Sequence, residues 1–256
     1  MQITQSIYIV SGSEYDQLGN GYAIRGKHGV ALIDSGEETA APVIEASLKR
    51  WGMGDLPVTH LLLTHGHMDH AGCAAYFQRK GAQIYVHEGD AHLLREGGFP
   101  ADTTPYGEGY TFPPCEPDVI LHDRDVVEFE DFRLEVCSLP GHTDGSVFYL
   151  MRERCDGLPK AYGRGSADSA AESDGYAVLF TGDTFSYDRD CGEDHILLCW
   201  KGSPDYDAAK LRKSFEYACQ TFYPEVILSG HGTPYLGGDG NAVIRAAARK
   251  FLNEYR

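Results

Sequence analysis

The residues best suited to chemistry lie together at positions 64–70, which read Thr-His-Gly-His-Met-Asp-His. Imidazole and carboxylate side chains are the usual protein ligands of zinc and related ions, and four of them fall within six positions here. The apolar residues 61–63 come directly before them and are typical of a buried strand. The pattern therefore predicts a metal site at the point where a strand ends.

Three later turns carry the same kinds of side chain, each after a predicted strand. They are Gly141-His142-Thr143, Gly182-Asp183-Thr184 and Gly230-His231-Gly232. In each turn a glycine permits a tight change of direction beside the ligand-type residue. One cluster rarely completes a metal site, so we expect these turns to supply the remaining ligands.

The ligand-type residues can be divided between two ions. Three neutral imidazoles suit one tetrahedral zinc with an open fourth position: His65, His67 and His142. Three further residues suit a second ion: Asp69, His70 and His231. Asp183 can bridge the two ions, which two-metal hydrolases hold ~3.5–4 Å apart. We predict two Zn²⁺ per chain, with iron and manganese as alternatives, and Asp69 as the catalytic residue that moves a proton.

Hydrophobic periodicity predicts the elements that must position these residues. Strands are expected at 7–10, 21–25, 30–33, 58–63 and 83–86, then at 132–137, 147–151, 177–180 and 226–228. Helices are expected at 71–79 and 90–95, and around the regularly spaced apolar residues that include Ile44, Leu211 and Ile244. Two β-rich halves with their own helices predict an α/β fold, a four-layer αββα sandwich that forms a single domain over residues 1–256.

Two long segments interrupt this pattern. Residues 97–118 are rich in proline, glycine and aromatic side chains, and we interpret them as a lid or a pocket wall. Residues 152–176 are poor in large apolar side chains and rich in glycine, serine and charge, which indicates a solvated insertion.

Composition limits the partners and the compartment. The formal net charge is −16, so the surface repels polyanions and nucleic acid is not an expected partner. No apolar stretch approaches the ~20 residues that span a bilayer, so no membrane association is expected. Seven cysteines without a C-x-x-C pair indicate reduced thiols, and the N-terminus lacks a signal-peptide pattern. We therefore expect a cytoplasmic protein that acts on a small molecule, and leave assembly into a homo-oligomer open.

The motif at residues 64–70 and the turns at His142, Asp183 and His231 resemble those of the metallo-β-lactamase superfamily. The resemblance covers essentially the whole chain and implies the αββα fold and the same division of ligands between two metals. The turn at Asp183 is most similar to the glyoxalase II-like branch, because lactamases that hydrolyse antibiotics generally lack a bridging carboxylate there. The branch implies a hydrolase that uses a metal-bridging hydroxide against a small thioester or lactone, or against another ester or phosphoester.

Some positions depart from the branch. Gly192-Glu193 stands where glyoxalase II-like proteins usually carry Gly-Arg. Ser186 stands where lactone-cleaving relatives carry a tyrosine, and Tyr187 follows one position later. These departures leave the identity of the substrate open.

Four further residues are candidates for supporting roles. Asp34 fits a family position that braces the metal loop, residues 64–70, although a simple Asx turn would account for Asp34 equally well. His195 follows the bridging-aspartate turn and, with Tyr187 and Trp200, is a candidate for contact with substrate.

Two other functions remain as alternatives. Persulfide dioxygenases also resemble this chain, and they hold a single iron with two histidines and a carboxylate, here His65, His142 and Asp183. A non-catalytic binding module with the same fold would be indicated if replacing His67 left every activity intact.

Overall fold

The computed structural model describes residues 1–100, 103, 109–154 and 175–254. Its strands are β1 (Ile7–Ser11), β2 (Gly21–Arg25), β3 (Val30–Ile33), β4 (Val58–Leu62), β5 (Gln83–His87), β6 (Gly98–Phe99), β7 (Tyr110–Thr111), β8 (Val119–Leu121), β9 (Val126–Phe129), β10 (Phe132–Ser138), β11 (Val147–Arg154), β12 (Gly175–Gly182), β13 (Phe185–Tyr187), β14 (Ile196–Leu198) and β15 (Val226–Ser229). Its α-helices are α1 (Ala41–Arg50), α2 (Met68–Ala71), α3 (Ala74–Arg79), α4 (Ala91–Glu96), α5 (Ala208–Thr221) and α6 (Gly240–Glu254).

Two sheets contain most of these strands. The first has the order β1-β2-β3-β4-β5-β8, and the second has the order β15-β12-β11-β10-β9. In the first sheet β3, β4, β5 and β8 run parallel, as expected for strands joined through helical connections. In the second sheet β15 is parallel to β12, while the other neighbours are antiparallel.

Side chains along β1 show how the layers arise. Ile7 and Ile9 point into the core between the two sheets, whereas Tyr8 and Val10 point into the core beneath the helices. Because both faces of the strand are covered, all four side chains are buried. Leu62 of β4 likewise reaches the core between the sheets.

Helices cover the outer face of each sheet. α1, α3 and α4 pack on the first sheet through residues that include Ile44, Phe77 and Leu94. α5 and α6 pack on the second sheet, where the ring centroids of Phe215 and Phe251 are 5.3 Å apart. The order of layers is helix, sheet, sheet, helix, which confirms the predicted αββα fold. The extent of a single domain over residues 1–256 stays a prediction.

The helix predicted over 71–79 is two helices, α2 and α3, which are separated at Gly72 and Cys73. A Cβ at Gly72 would lie 2.5 Å from the Glu38 amide nitrogen, so the loop before α1 packs directly against this point. The Cys73 amide donates to Ser35 Oγ at 3.2 Å. The helix is interrupted because this contact with the loop takes the place of a helical hydrogen bond.

The two long segments are described only in part. Within 97–118, β6 and β7 pair as a short antiparallel ribbon, and Phe112 is buried in the core beneath the helices. The lid role of this segment stays a prediction. β11 extends to Arg154 and β12 begins at Gly175, so most of the insertion predicted at 152–176 lies outside the described residues.

The expectations drawn from composition can be examined in the described part of the chain. Its six cysteines are all free. The reduced state of the thiols stays a prediction. Among the same residues, every helix is too short or too polar to cross a membrane. The cytoplasmic location stays a prediction.

Candidate metal centre

The predicted ligands lie at the carboxyl ends of strands from both sheets. The motif at residues 64–70 follows β4 and leads into α2. The other ligand-type residues follow strands of the second sheet: His142 after β10, Asp183 after β12 and His231 after β15. Because β4 and these strands deliver their turns to one edge of the two-sheet sandwich, residues far apart in sequence meet there.

Three imidazoles form the first set of ligand atoms, called here the imidazole group: His65, His67 and His142. One ligand atom from each residue lies within 4.8 Å of the others. Nε2 of His142 and Nε2 of His65 are 3.3 Å apart. All three side chains are buried. Three converging imidazoles can hold one tetrahedral ion and leave its fourth position open.

Two carboxylates and two imidazoles form the second set, called here the carboxylate group: Asp69, His70, Asp183 and His231. Asp183 Oδ2 is 3.0 Å from His231 Nε2, and Asp183 Oδ1 is 3.2 Å from His70 Nε2. Asp69 Oδ2 is 3.2 Å from His231 Nε2 and 3.5 Å from His70 Nε2. These four side chains could hold a second ion.

Asp183 lies between the two groups. Its Oδ2 is 3.8 Å from His142 Nε2 as well as 3.0 Å from His231 Nε2. Gly230 permits this close packing, because a Cβ at that position would lie 2.1 Å from Asp183 Oδ1. One carboxylate is thus placed where it could contact an ion in either group.

Asp34 orients two of the imidazoles from behind. Its Oδ1 accepts from the Thr64 amide at 2.7 Å, and its Oδ2 accepts from the Thr64 hydroxyl at 2.7 Å. The same Oδ2 is 3.0 Å from His70 Nδ1 and can only accept, so Nδ1 carries a proton. Thr64 Oγ1 is 3.1 Å from His65 Nδ1 and accepts its proton, because the hydroxyl hydrogen already points to Asp34. These contacts are the ones that a bracing role for Asp34 requires.

The remaining imidazoles have different partners. His231 Nδ1 is 3.0 Å from the carbonyl oxygen of Leu18, which fixes a proton on Nδ1. His67 uses the opposite nitrogen, since its Nε2 is 3.1 Å from Ser203 Oγ. His142 Nδ1 is buried and has no hydrogen-bond partner among the described residues.

Burial keeps the imidazole group neutral. It lowers the pKa of His67 to about 4 and the pKa of His142 to about 3. It also holds the pKa of His65 well below its usual value. Neutral imidazole is the form that binds a metal ion, so an ion entering this group displaces no proton from it.

The carboxylates reverse this effect in their own group. The charge of Asp183 raises the pKa of His231 to about 10. Burial lowers the pKa of His70, but the charges of Asp183 and Asp69 outweigh burial and hold this pKa well above its usual value. Burial also raises the carboxyl pKa values of Asp183 and Asp69, yet the neighbouring imidazoles outweigh it and bring both well below their usual range. The group is therefore a network of ion pairs.

The carboxylate group also holds buried polar atoms without a hydrogen bond. His70 Nε2 and Asp183 Oδ1 are 3.2 Å apart, but neither makes a hydrogen bond to any described residue. The two atoms attract each other as an ion pair, but buried polar atoms that make no hydrogen bond are rare because they are costly. A divalent cation that contacts both atoms would satisfy them, and the mixture of nitrogen and oxygen ligands fits zinc, iron or manganese.

Asp90, which the sequence patterns do not single out, joins the loops of the imidazole group. Its Oδ2 accepts from the Gly66 amide at 2.7 Å and from the Thr143 hydroxyl at 2.8 Å. Its Oδ1 accepts from the Gly145 amide at 2.6 Å. Burial raises the pKa of Asp90 to about 6. In the sequence it is simply an acidic residue at the start of a predicted helix, so nothing marks it as a link between distant loops.

The residues predicted to contact substrate lie in different surroundings. The ring centroid of Trp200 is 6.2 Å from that of His67 and 5.2 Å from that of Tyr110, and Trp200 is 36% exposed. Tyr187 packs against the outer core of the second sheet, with its ring centroid 5.9 Å from that of His195. Trp200 therefore lies beside the imidazole group, and Tyr187 and His195 form a pair of their own.

More than half of the chain matches a known protein family. Residues 15–155, more than half of the chain, match the metallo-beta-lactamase superfamily. The matched segment includes the motif at residues 64–70 and the turn at His142. The chain belongs to the metallo-beta-lactamase superfamily.

Two curated relatives have names that describe hydrolysis of an acyl thioester. The hydroxyacylglutathione hydrolase GloC of Haemophilus influenzae is 32% identical over 132 residues, which are 48% of this chain and 56% of that protein. The acyl-coenzyme A thioesterase MBLAC2 of Gallus gallus is 31% identical over 116 residues, which are 40% of each chain. This chain thus aligns with about half of the length of these relatives.

Solved structures show the same fold. BJP-1, a subclass B3 metallo-beta-lactamase of Bradyrhizobium japonicum, superimposes with a TM-score of 0.72 at 22% identity. The superposition covers 100% of this chain and 91% of that chain. At this level of identity the likeness establishes the architecture.

Proposed function

We propose that this chain is a dinuclear, zinc-dependent hydrolase. The observation that carries the proposal is the position of Asp183, whose Oδ2 is 3.8 Å from His142 Nε2 and 3.0 Å from His231 Nε2. One carboxylate shared by two ligand sets is the arrangement that two-metal hydrolases use. Membership of the superfamily and the relatives named as hydrolases support the same class of reaction. Iron and manganese are the alternative metals for the same ligands.

Bound divalent ions would supply Lewis acidity and lower the pKa of a water molecule to about 7. The chain itself orients the ligands and moves the proton. Asp34 holds the metal loop, and Asp90 holds the two loops of the imidazole group together. Asp69 lies at the open side of the centre with 19% of its side chain exposed, and its Oδ2 is 3.2 Å from His231 Nε2. From there Asp69 Oδ2 can accept a proton from the attacking water and pass it to the leaving group.

A small thioester or lactone is the substrate class that we propose. The names of two relatives, a hydroxyacylglutathione hydrolase and an acyl-coenzyme A thioesterase, support an acyl substrate. Trp200 and Tyr110 form an aromatic wall beside His67, and an apolar part of such a substrate can pack there. The net charge of −16 supports a small molecule rather than nucleic acid as the partner. The cytoplasm is the location that we propose.

Metal analysis and a substrate screen test this proposal. Protein purified without added metal should contain two zinc ions per chain and should hydrolyse members of a thioester and lactone panel. Chelation should abolish turnover, and zinc should restore it. His67→Ala should lose both the metal of the imidazole group and turnover. The matched control His92→Ala, which changes an exposed histidine in α4, should keep both.

Other outcomes would favour the alternatives. One iron per chain with consumption of oxygen would indicate the dioxygenase, in which His65, His142 and Asp183 hold a single ion. Unchanged turnover in His67→Ala would contradict metal-dependent hydrolysis by this centre.

A further inference from the structure

Ser203 and Asp205 lie directly behind His67, outside every motif in the sequence. The Ser203 side chain is buried, with its Oγ 3.1 Å from His67 Nε2. The Ser203 hydroxyl also donates a short hydrogen bond to Asp205 Oδ1. The three residues therefore form a chain of contacts from a carboxylate to a candidate metal ligand.

The number of protons in this chain of contacts decides the tautomer of His67. A serine hydroxyl has one hydrogen, and a carboxylate can only accept, so the hydrogen of Ser203 points to Asp205. Ser203 Oγ then offers only a lone pair, and His67 Nε2 must carry the hydrogen between them. A neutral imidazole has one N–H and one lone pair, so with the hydrogen on Nε2 the lone pair of His67 that can bind a metal ion is on Nδ1.

The same principle governs other imidazoles of the centre, but with different partners. His70 gives its Nδ1 proton to Asp34, and His231 gives its Nδ1 proton to the carbonyl of Leu18. Each acceptor fixes one ring nitrogen and leaves the other facing the ligand set. Ser203 and Asp205 play the same part for His67, but they fix the proton on its other ring nitrogen, Nε2.

The segment that carries Ser203 and Asp205 is also fixed to the loop of His142. Asp205 Oδ2 accepts from the Asp144 amide at 3.3 Å, and the Asp207 amide donates to the Gly141 carbonyl at 2.9 Å. A single segment thus contacts His67 directly and holds the loop on both sides of His142. Two members of the imidazole group are oriented from one side.

We propose that Ser203 and Asp205 are positioning residues that fix His67 as the Nε2–H tautomer and present its Nδ1 to a metal ion. The metal-binding part of this inference rests on the proposed function. The tautomer itself is a property of the metal-free protein and can be measured separately.

Zinc affinity and histidine NMR of the full chain test the proposal. Ser203→Ala should weaken zinc binding in the imidazole group by roughly 10–100-fold, the usual effect of removing a residue that orients a metal-bound histidine. In ¹⁵N-histidine spectra of the metal-free protein, His67 should carry its proton on Nε2 in the wild type. In Ser203→Ala it should become a mixture of both tautomers. The matched control Ser47→Ala removes another buried hydroxyl, in α1, and should change neither measurement.

A second variant, Asp205→Ala, tests the proposal independently if Ser203→Ala does not fold. Asp205→Ala keeps the buried serine but frees its hydroxyl to donate to His67 Nε2, so the proton of His67 should shift toward Nδ1 and zinc affinity should again fall. Thermal unfolding of the metal-free variants establishes that they are folded. A wild-type His67 protonated on Nδ1, or a Ser203→Ala protein indistinguishable from Ser47→Ala, would overturn the proposal. Failure of the wild type to bind any divalent ion would instead defeat the proposed function, and the tautomer would still decide the positioning role.

Discussion

The imidazole group and the carboxylate group share an edge of the molecule but differ in charge and exposure. The imidazole group is buried and has no carboxylate of its own, and the pKa values of its histidines are lowered. The carboxylate group reaches the surface at His231, which is 34% exposed, and the pKa values of its histidines are raised. Both sets of histidines lie in one centre within a few ångströms of each other.

The difference shows that burial alone does not set the state of a ligand histidine. His65 and His70 are both almost fully buried, and their ring centroids are 4.2 Å apart. Burial, together with the neighbouring imidazoles, lowers the pKa of His65, whereas carboxylates on two sides of His70 outweigh burial and raise its pKa. The distribution of carboxylates divides the centre into two chemically distinct halves.

Asp183→Asn should have the largest effect, because it removes the charge that the two groups share. Loss of this charge should lower kcat/KM for the best thioester or lactone by roughly a thousandfold or more, since metal ions stabilise the transition state by several kcal/mol. The metal content should fall below two ions per chain. The control Asp190→Asn changes an exposed carboxylate in the same region and should keep both values. A two-metal, fully active Asp183→Asn protein would remove the basis for a shared carboxylate.

Asp90→Asn changes the carboxylate that joins the loops of the imidazole group. It should alter how the free energy of unfolding depends on pH. The native pKa of Asp90 is about 6, raised by burial from 3.8. Between these pH values the native state holds a proton that the unfolded chain has lost, so the free energy of unfolding falls as pH rises from about 4 to about 6. A shift of this size corresponds to about 3 kcal/mol. Asp90→Asn should lack this component of the pH dependence.

Urea unfolding of the metal-free proteins at several pH values between 4 and 7 measures the effect of Asp90. The difference in free energy of unfolding between wild type and Asp90→Asn should change with pH in the direction given above. A difference that is constant across this range would show that Asp90 does not titrate with a raised pKa.

Asp34→Asn should act mainly on the carboxylate group. Asp34 has a φ of +59°, a backbone conformation that asparagine also adopts readily, so the change tests the charge rather than the backbone. Loss of the acceptor for His70 Nδ1 should weaken metal binding in the carboxylate group by roughly 10–100-fold. Competition with a chromophoric chelator measures the two affinities. An equal loss in both groups would show that Asp34 acts on the whole metal loop through Thr64.

Trp200→Ala should have the smallest effect. This effect should be on the binding of substrate beside the imidazole group. Removal of this ring should raise KM for substrates with an apolar acyl group by about three- to tenfold while kcat changes little, as expected for uniform binding. Trp200→Phe should retain part of the effect. Tyr223→Ala, which changes a residue that is 64% exposed, serves as the control. A loss confined to kcat would place Trp200 in the chemistry rather than in substrate binding.

The local parts of the centre could be predicted from the sequence. The residues at 64–70 are neighbours in the chain, and the apolar residues 61–63 directly before them are buried in the cores on both faces of the first sheet. The turns at His142, Asp183 and His231 repeat one pattern, a strand followed by glycine and a ligand-type residue. Such signals depend on residues next to one another, and the structure brings all of these side chains together.

The contacts between distant segments could not be predicted in the same way. Asp90 lies 24 residues from Gly66 and 55 from Gly145, and Ser203 lies 136 residues from His67. No local periodicity encodes such pairs. Short strands such as β13 and β14 also escaped prediction, because three residues show too little alternation to be distinguished from a loop.

The contact between the two ends of the chain has a consequence for folding. The Asn20 amide donates to the Gly230 carbonyl at 2.7 Å, and Tyr22 Oη donates to the Ser229 carbonyl at 2.7 Å. The His231 turn is thus held by residues near the N-terminus. Contacts so far apart in sequence carry a large loop-closure entropy, so we expect them to form late in folding. An ion that needs ligands from both halves would bind the finished fold and not its partial forms. The rate of metal uptake during refolding would therefore report the rate of the last folding step.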